Sequence, residues 1–119
     1  MQYMLLIYSD EKASADMSKE AMDASMGEYN AYTEALGKSG LMRAGDALQP
    51  TAAATTVRVQ NGKSITTHGP FAETKEQLGG YYLLDCKNLD EAIEWAAKCP
   101  GARGGSIEVR PVWDFNQPQ

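Results

Sequence analysis

Histidine is almost missing from this chain: His68 is the only one. Cysteine is nearly as scarce, and Cys86 and Cys99 match neither a CxxC nor a zinc-type spacing. These shortages argue against a dedicated transition-metal site or a cysteine redox pair. The two thiols read as free, buried or half-buried side chains of a reducing compartment. A basic surplus is also lacking, since 11 Lys and Arg face 16 Asp and Glu for a net charge of −5. Nothing then supplies the phosphate-neutralising charge that sequence-independent nucleic-acid binding needs, and no nucleic-acid partner is expected. No apolar run approaches the roughly 20 residues that cross a bilayer. The apolar start Met1–Tyr8 has no basic flank and stops at Ser9-Asp10, too early for a secretory signal. The expectation is a cytoplasmic protein with no membrane partner. Phosphate loops, GxSxG elbows, HExxH helices and EF-hand loops are absent too, so no cofactor and no metal are expected.

What remains is ordinary globular material. With 119 residues, 43% of them hydrophobic and 23% charged, the chain fits a single domain spanning 1–119. Tyr3–Tyr8 is apolar at every position and reads as a strand buried on both faces, because alternate side chains point to opposite sides. Ser9–Asp16 is polar and reads as a loop. Met22, Met26, Tyr29, Tyr32 and Leu36 form one stripe at helical spacing, predicting a helix over Ser18–Lys38 with Ser18 as cap, Gly37 or Gly40 as stop, and the stripe as core. Leu41–Leu48 reads as a strand closed by Pro50. Thr55–Gln60 and Lys63–Thr67 flank Asn61-Gly62, the pair that favours a type I′ hairpin turn. His68-Gly69-Pro70-Phe71 breaks the strand, and Ala72–Leu78 reads as a short helical turn with Thr74 and Gln77 spaced as a capping box. Tyr81–Cys86 is a second two-faced strand. Asn88 opens a second helix with Leu89, Ala92, Ile93, Ala96 and Ala97 as its apolar face, ended at Cys99-Pro100-Gly101. Ser106–Val112 is the last strand, and the tail Trp113–Gln119 docks on the body or on a partner.

This order predicts an α+β fold with two helices packed on one face of an antiparallel sheet. Two helices cover only one face. The two-faced strands therefore call for a second cover, and a second copy of the sheet in a homodimer is the simplest one.

Few side chains can carry chemistry. His68 holds the only group with an unperturbed pKa near neutrality, at a strand end where side chains often turn toward a cleft. As a general base it would take a proton from a small acidic substrate and return it as an acid. A packing histidine is the competing reading. Asp46 sits in a small, apolar strand where an acid is poorly favoured. It either orients His68, faces a pocket, pairs with Arg43, or lies on the solvent face. Glu28, beside the helical stripe, is a third acid. Arg43 and Arg58 can hold substrate charge, and Tyr81 completes the binding set; ordinary ion pairs and core or interface packing are the bland alternatives.

The segment His68-Gly69-Pro70-Phe71-Ala72-Glu73-Thr74-Lys75-Glu76-Gln77-Leu78-Gly79-Gly80-Tyr81-Tyr82 closely resembles the signature of the YCII-related, or DGPF-domain, family. The likeness extends through Ala44–Pro50, Thr55–Val59, Asp90-Glu91-Ala92 with Trp95-Ala96, and Gly105–Val112. It implies a ferredoxin-like sheet that pairs into a dimeric α+β barrel. Some members of that family are thought to be small lyases such as dehydrochlorinases; others accompany sigma-factor genes. Two positions depart from the pattern: His68 replaces the DGPF aspartate, and Glu28 falls where such members carry a helix histidine. Gly69-Pro70-Phe71 keeps the pattern and suggests a turn with the ring packed inward. The functional expectation is a cofactor-independent lyase or isomerase acting on an unknown small molecule, with His68 as acid/base. The alternative is a non-catalytic ligand-binding or interaction protein linked to transcriptional or stress regulation.

Overall fold

The computed structural model of the chain describes residues 1–116. Along it run β1 (Gln2–Ser9), α1 (Glu11–Ala15), α2 (Lys19–Ser39), β2 (Met42–Ala47), β3 (Thr55–Gln60), β4 (Lys63–His68), β5 (Gln77–Asp85), α3 (Leu89–Lys98) and β6 (Ser106–Pro111). Four strands make one antiparallel sheet in the order β2-β5-β1-β6; β3 and β4 pair only with each other. This is an α+β, ferredoxin-like arrangement with α2 and α3 on one face of the sheet.

Strand alternation sorts the side chains. Tyr3, Leu5 and Ile7 of β1 and Tyr82 and Leu84 of β5 are buried beneath the helices with Tyr32, Leu36, Ala92 and Ala96. Met4, Leu6 and Tyr8, with Tyr81 and Leu83, point the other way and are only half-buried, since no helix covers that side. Across the open face the register aligns Asp46, Tyr81, Leu6 and Glu108 in one row and Ala44, Leu83, Met4 and Arg110 in the next. Asp46, Glu108 and Arg110 therefore stand at the edges while Leu6, Met4 and Leu83 hold the centre.

Local chemistry explains the helix ends. Ser18 Oγ accepts from Ala21 N at 3.1 Å, and Gly40 closes α2 at φ 78°. Asn88 Oδ1 accepts from Glu91 N while Glu91 Oε1 accepts from Lys87 N, each at 3.0 Å, which completes a reciprocal cap on α3. Asn61 at φ 52° and Gly62 at φ 77° form the expected turn between β3 and β4. Tyr32 fixes α2 to α3 through an Oη donation to the Trp95 carbonyl at 2.6 Å.

Five expectations are corrected. The α2 stripe is not core throughout: Tyr32 and Leu36 are buried, but Met22 and Met26 are exposed. The helix has 21 residues, about 31 Å at 1.5 Å per residue, and its first turns outrun the short strands beneath it. On α3 the buried side chains are Ala92 and Ala96; Leu89 and Ile93 lie exposed. Ala72–Leu78 is not helical. Gln77 instead begins β5, which takes in Gly79 and Gly80, with Gly79 as the extra residue where Ile7 pairs Gly80 and Tyr8 pairs Leu78. Ser9–Asp16 is not all loop, because Asp10 caps the short α1. Phe71 does not pack inward; it is 79% exposed. In the tail, Trp113 and Phe115 stack on each other at 5.9 Å and stay exposed; residues 117–119 lie outside the described chain.

The β3–β4 hairpin projects as an arm. The radius of gyration is 16.5 Å, against about 13.5 Å for a compact chain of this length. No helix of the described residues is long and apolar enough to cross a membrane.

Candidate functional site

Glycines on the helix-facing side of β2 and β5 let neighbouring groups pack close to the strands beside a candidate site. Gly45 lies opposite Tyr82, and a Cβ there would stand 2.8 Å from Tyr82 Cδ1. Gly80 lies opposite Ala47, and its Cβ would stand 2.9 Å from the Asp46 carbonyl oxygen. Beside them is a cavity of about 400 Å3, bounded by Tyr29 and Thr33 of α2, by Tyr82, and by Met42 at its floor. That volume suits a small organic ligand. β2 is the edge strand, and Asp46 and Tyr81 border the cavity at their strand positions while their side chains stand on the open face of the sheet.

Asp46 and Tyr81 pair directly across β2 and β5, and Tyr81 Oη donates to Asp46 Oδ2 at 2.6 Å. This hydrogen bond, with the carboxylate's charge, holds the Tyr81 phenol above its ordinary pKa, since losing the proton would set two anions in contact. Tyr82 Oη and Thr33 Oγ1 share a hydrogen bond of 2.7 Å. Burial raises the pKa values of Tyr29 and Tyr82 at the cavity and of Tyr32 beside them, which further favours their neutral phenols. Cys99 and Cys86 are buried free thiols, also held protonated by burial, and the Cys99 thiol lies 4.0 Å from Tyr29 Oη.

Of the residues singled out from the sequence, the fold brings Asp46 and Tyr81 together at the cavity. His68 is exposed at the base of the arm, opposite Thr55, and does not line the cavity of its own chain. Glu28 forms an ion pair with Arg103. Arg43 caps the end of α2 by donating to the Gly40 carbonyl at 2.8 Å and reaches Asp85 at 3.5 Å. Arg58 is exposed on the arm, opposite Ile65. Tyr29, Thr33 and Tyr82 were not read as site residues. Tyr29 belongs to the apolar stripe and Tyr82 to a two-faced strand, patterns that core residues share. The three nearby glycines 45, 79 and 80 were the available signal, since side-chain-free positions in strands mark close approach or open space.

The sheet order and the helices on one face define a small α+β protein of ferredoxin-like fold, with an acid–phenol pair at the sheet edge and a cavity beside it. The model of the YCII-related domain matches residues 1–116, and the chain belongs to that family. It is 42% identical over 114 residues to the uncharacterized protein R00369 of Rhizobium meliloti (strain 1021), covering 94% of this chain and 92% of that one. Among solved structures it is similar to the 5-chloro-2-hydroxyhydroquinone dehydrochlorinase TftG of Burkholderia phenoliruptrix AC1100, in complex with 2,5-dihydroxybenzoquinone. The TM-score is 0.53 at 14% identity, over 96% of this chain and 94% of that one.

Proposed function

We propose that this protein is a cofactor-independent lyase or isomerase that works as a cytoplasmic homodimer on a small, oxygen-bearing organic molecule. The observation that carries this reading is the 2.6 Å hydrogen bond from Tyr81 to Asp46 on the open face of the sheet edge, across the strands from a ligand-sized cavity. The Asp46 carboxylate takes a proton from an activated substrate carbon. The C–H electron pair then forms a new π bond and expels an anion from the neighbouring carbon, or the proton returns at a second carbon. Tyr81 orients the carboxylate before transfer. The neutral phenols of Tyr29 and Tyr82 offer donors to a substrate hydroxyl or carbonyl. His68 is a further acid/base group, available where the arm of one copy lies over the site of another. The dehydrochlorinase of similar fold and its quinone complex support the same class of reaction and ligand.

The dimer follows from the open face. Met4, Leu6, Tyr8 and Leu83 form an apolar centre that no helix or strand of the described residues covers, and the same face of a second copy is its self-complementary cover.

The test is chloride release from 5-chloro-2-hydroxyhydroquinone, run beside calorimetric titration of 2,5-dihydroxybenzoquinone. Turnover that falls about 100-fold or more in Asp46→Asn supports the reading. Quinone binding without turnover favours the ligand-binding alternative. Neither binding nor turnover, in a folded dimer, overturns the proposal.

A further inference from the structure

The arm and the overhanging start of α2 are two exposed apolar features with opposite charge. On the arm, the register places Val57, Val59 and His68 on one face, with Val57 60% and Val59 71% exposed. Thr55–His68 contains Arg58 and Lys63 and no carboxylate. Two strands alone do not form a stable unit in water, so an arm with an aliphatic face wants a surface to lie on. The first turns of α2 leave Met22 and Met26, the latter 65% exposed, in line with Tyr29 and Thr33, which wall the cavity. The segment Lys19–Glu28 carries Glu20, Asp23 and Glu28 against Lys19 alone, so its balance is acidic, with Asp23 on the side nearer the methionines. The dimensions agree as well. Six-residue strands extend about 20 Å, and Lys19–Glu28 covers about 15 Å of helix.

We propose that the arm of one copy lies along the first turns of α2 in a second copy, with Val57 and Val59 on Met22 and Met26. Arg58 and Lys63 reach round the narrow two-stranded ribbon toward Glu20 and Asp23. Methionine suits such a contact, since its flexible thioether adapts to an irregular apolar surface. A twofold axis makes the exchange reciprocal, so both arms are covered and no open end is left to propagate a fibre. The covered methionines continue the cavity wall beyond Tyr29, so each arm extends the site of the other copy. The inference rests on the homodimer proposed above and adds to it what the arm does there.

A cysteine pair tests it on the full chain. Met26→Cys with Val59→Cys, oxidised in dilute solution, is expected to yield a covalent dimer at least about tenfold faster than either single variant, because docked groups meet at millimolar effective concentration. Arg58→Glu with Lys63→Glu, added to that pair, is expected to slow the cross-link at least about fivefold, and Glu20→Lys with Asp23→Lys to restore it. An intrachain disulfide in a monomer would mean that the arm folds back on its own helix and overturns the exchange. Absence of a cross-link in a protein that light scattering shows to be dimeric overturns it while leaving the sheet-to-sheet dimer standing. A wild-type monomer overturns both.

Discussion

Tyr81 and Asp46, thirty-five residues apart in sequence, are direct cross-strand partners joined by a hydrogen bond of 2.6 Å. The bond couples a proton donor to a proton acceptor beside an open cavity. It also makes the carboxylate's orientation depend on the phenol. Glu108 ends the same row on the far edge strand, where it is tied to Arg110, so among the described residues Asp46 is the carboxylate of that row without a cation on it.

Tyr81 reports on Asp46 directly. The carboxylate raises the phenol's pKa, so the hydroxyl ionises at higher pH in the native protein than in a free tyrosine. Asp46→Asn is expected to lower the pH at which Tyr81 ionises, read by ultraviolet difference titration against Tyr81→Phe. An unchanged titration would mean that the pair is not formed in solution.

Gly80 guards the cavity's shape. A Cβ there meets a backbone oxygen at 2.9 Å, and backbone cannot swing aside as a side-chain tip can. Gly80→Ala is expected to destabilise the fold by about 1–3 kcal/mol, measured by urea denaturation. Gly45→Ala meets the Tyr82 ring at 2.8 Å and is expected to displace that ring, with loss of ligand binding.

Leu6 sits at the centre of the open face, between Tyr81 and Glu108. Leu6→Glu would place a charge amid the apolar strip that the second copy is proposed to cover. The expected result is a folded monomer, with half the wild-type mass in light scattering and an unchanged far-ultraviolet circular dichroism spectrum.

Alkaline pH is expected to weaken the fold. Burial raises the pKa values of Cys86, Cys99, Tyr29 and Tyr32, so the native state favours the protonated forms. Their contribution is fully present below the unfolded pKa values, about 8.5 for thiols and 10 for phenols. It falls as pH rises above those values toward the higher folded ones. Between pH 8 and pH 10.5 the melting temperature should drop by more than about 5 °C. In the native protein at pH 8, both thiols should resist a thiol reagent until the chain unfolds.

The small core gives a control for these effects. Leu36 is fully buried, and Leu36→Ala is expected to cost about 2–5 kcal/mol. Tyr32→Phe removes the donor to the Trp95 carbonyl and should cost about 1 kcal/mol. Neither change should alter the Tyr81 titration.

Much of the architecture is legible in local patterns. The cap at Ser18, the Asn61-Gly62 turn, the reciprocal cap at Asn88 and the two-faced strands are short-range features, and each depends on a few neighbouring residues whose chemistry allows one backbone conformation. Those patterns also carried the family signature. Burial was less legible. Met22 and Tyr32 stand on the same helical stripe, yet one is exposed and the other buried, because helix length against strand length decides where the sheet ends. Leu89 and Ala92 differ likewise, since a helix laid close to a sheet turns its small side chains inward.

The site depended on register. The scarcity of histidine drew attention to His68, which the fold sets at the base of an exposed arm. Asp46 met Tyr81 instead, through a pairing of β2 with β5 that no local pattern encodes. By itself the sequence determined most of the strands, helices and turns, because those follow from residues a few positions apart; the short helix after Asp10 and the extended segment leading into Gln77 were the exceptions. Only the tertiary structure decided which carboxylate meets which phenol, where a cavity opens and which apolar faces stay bare. Those outcomes arise from contacts between residues far apart in the chain, set jointly by sheet order, register and the relative lengths of helix and strand.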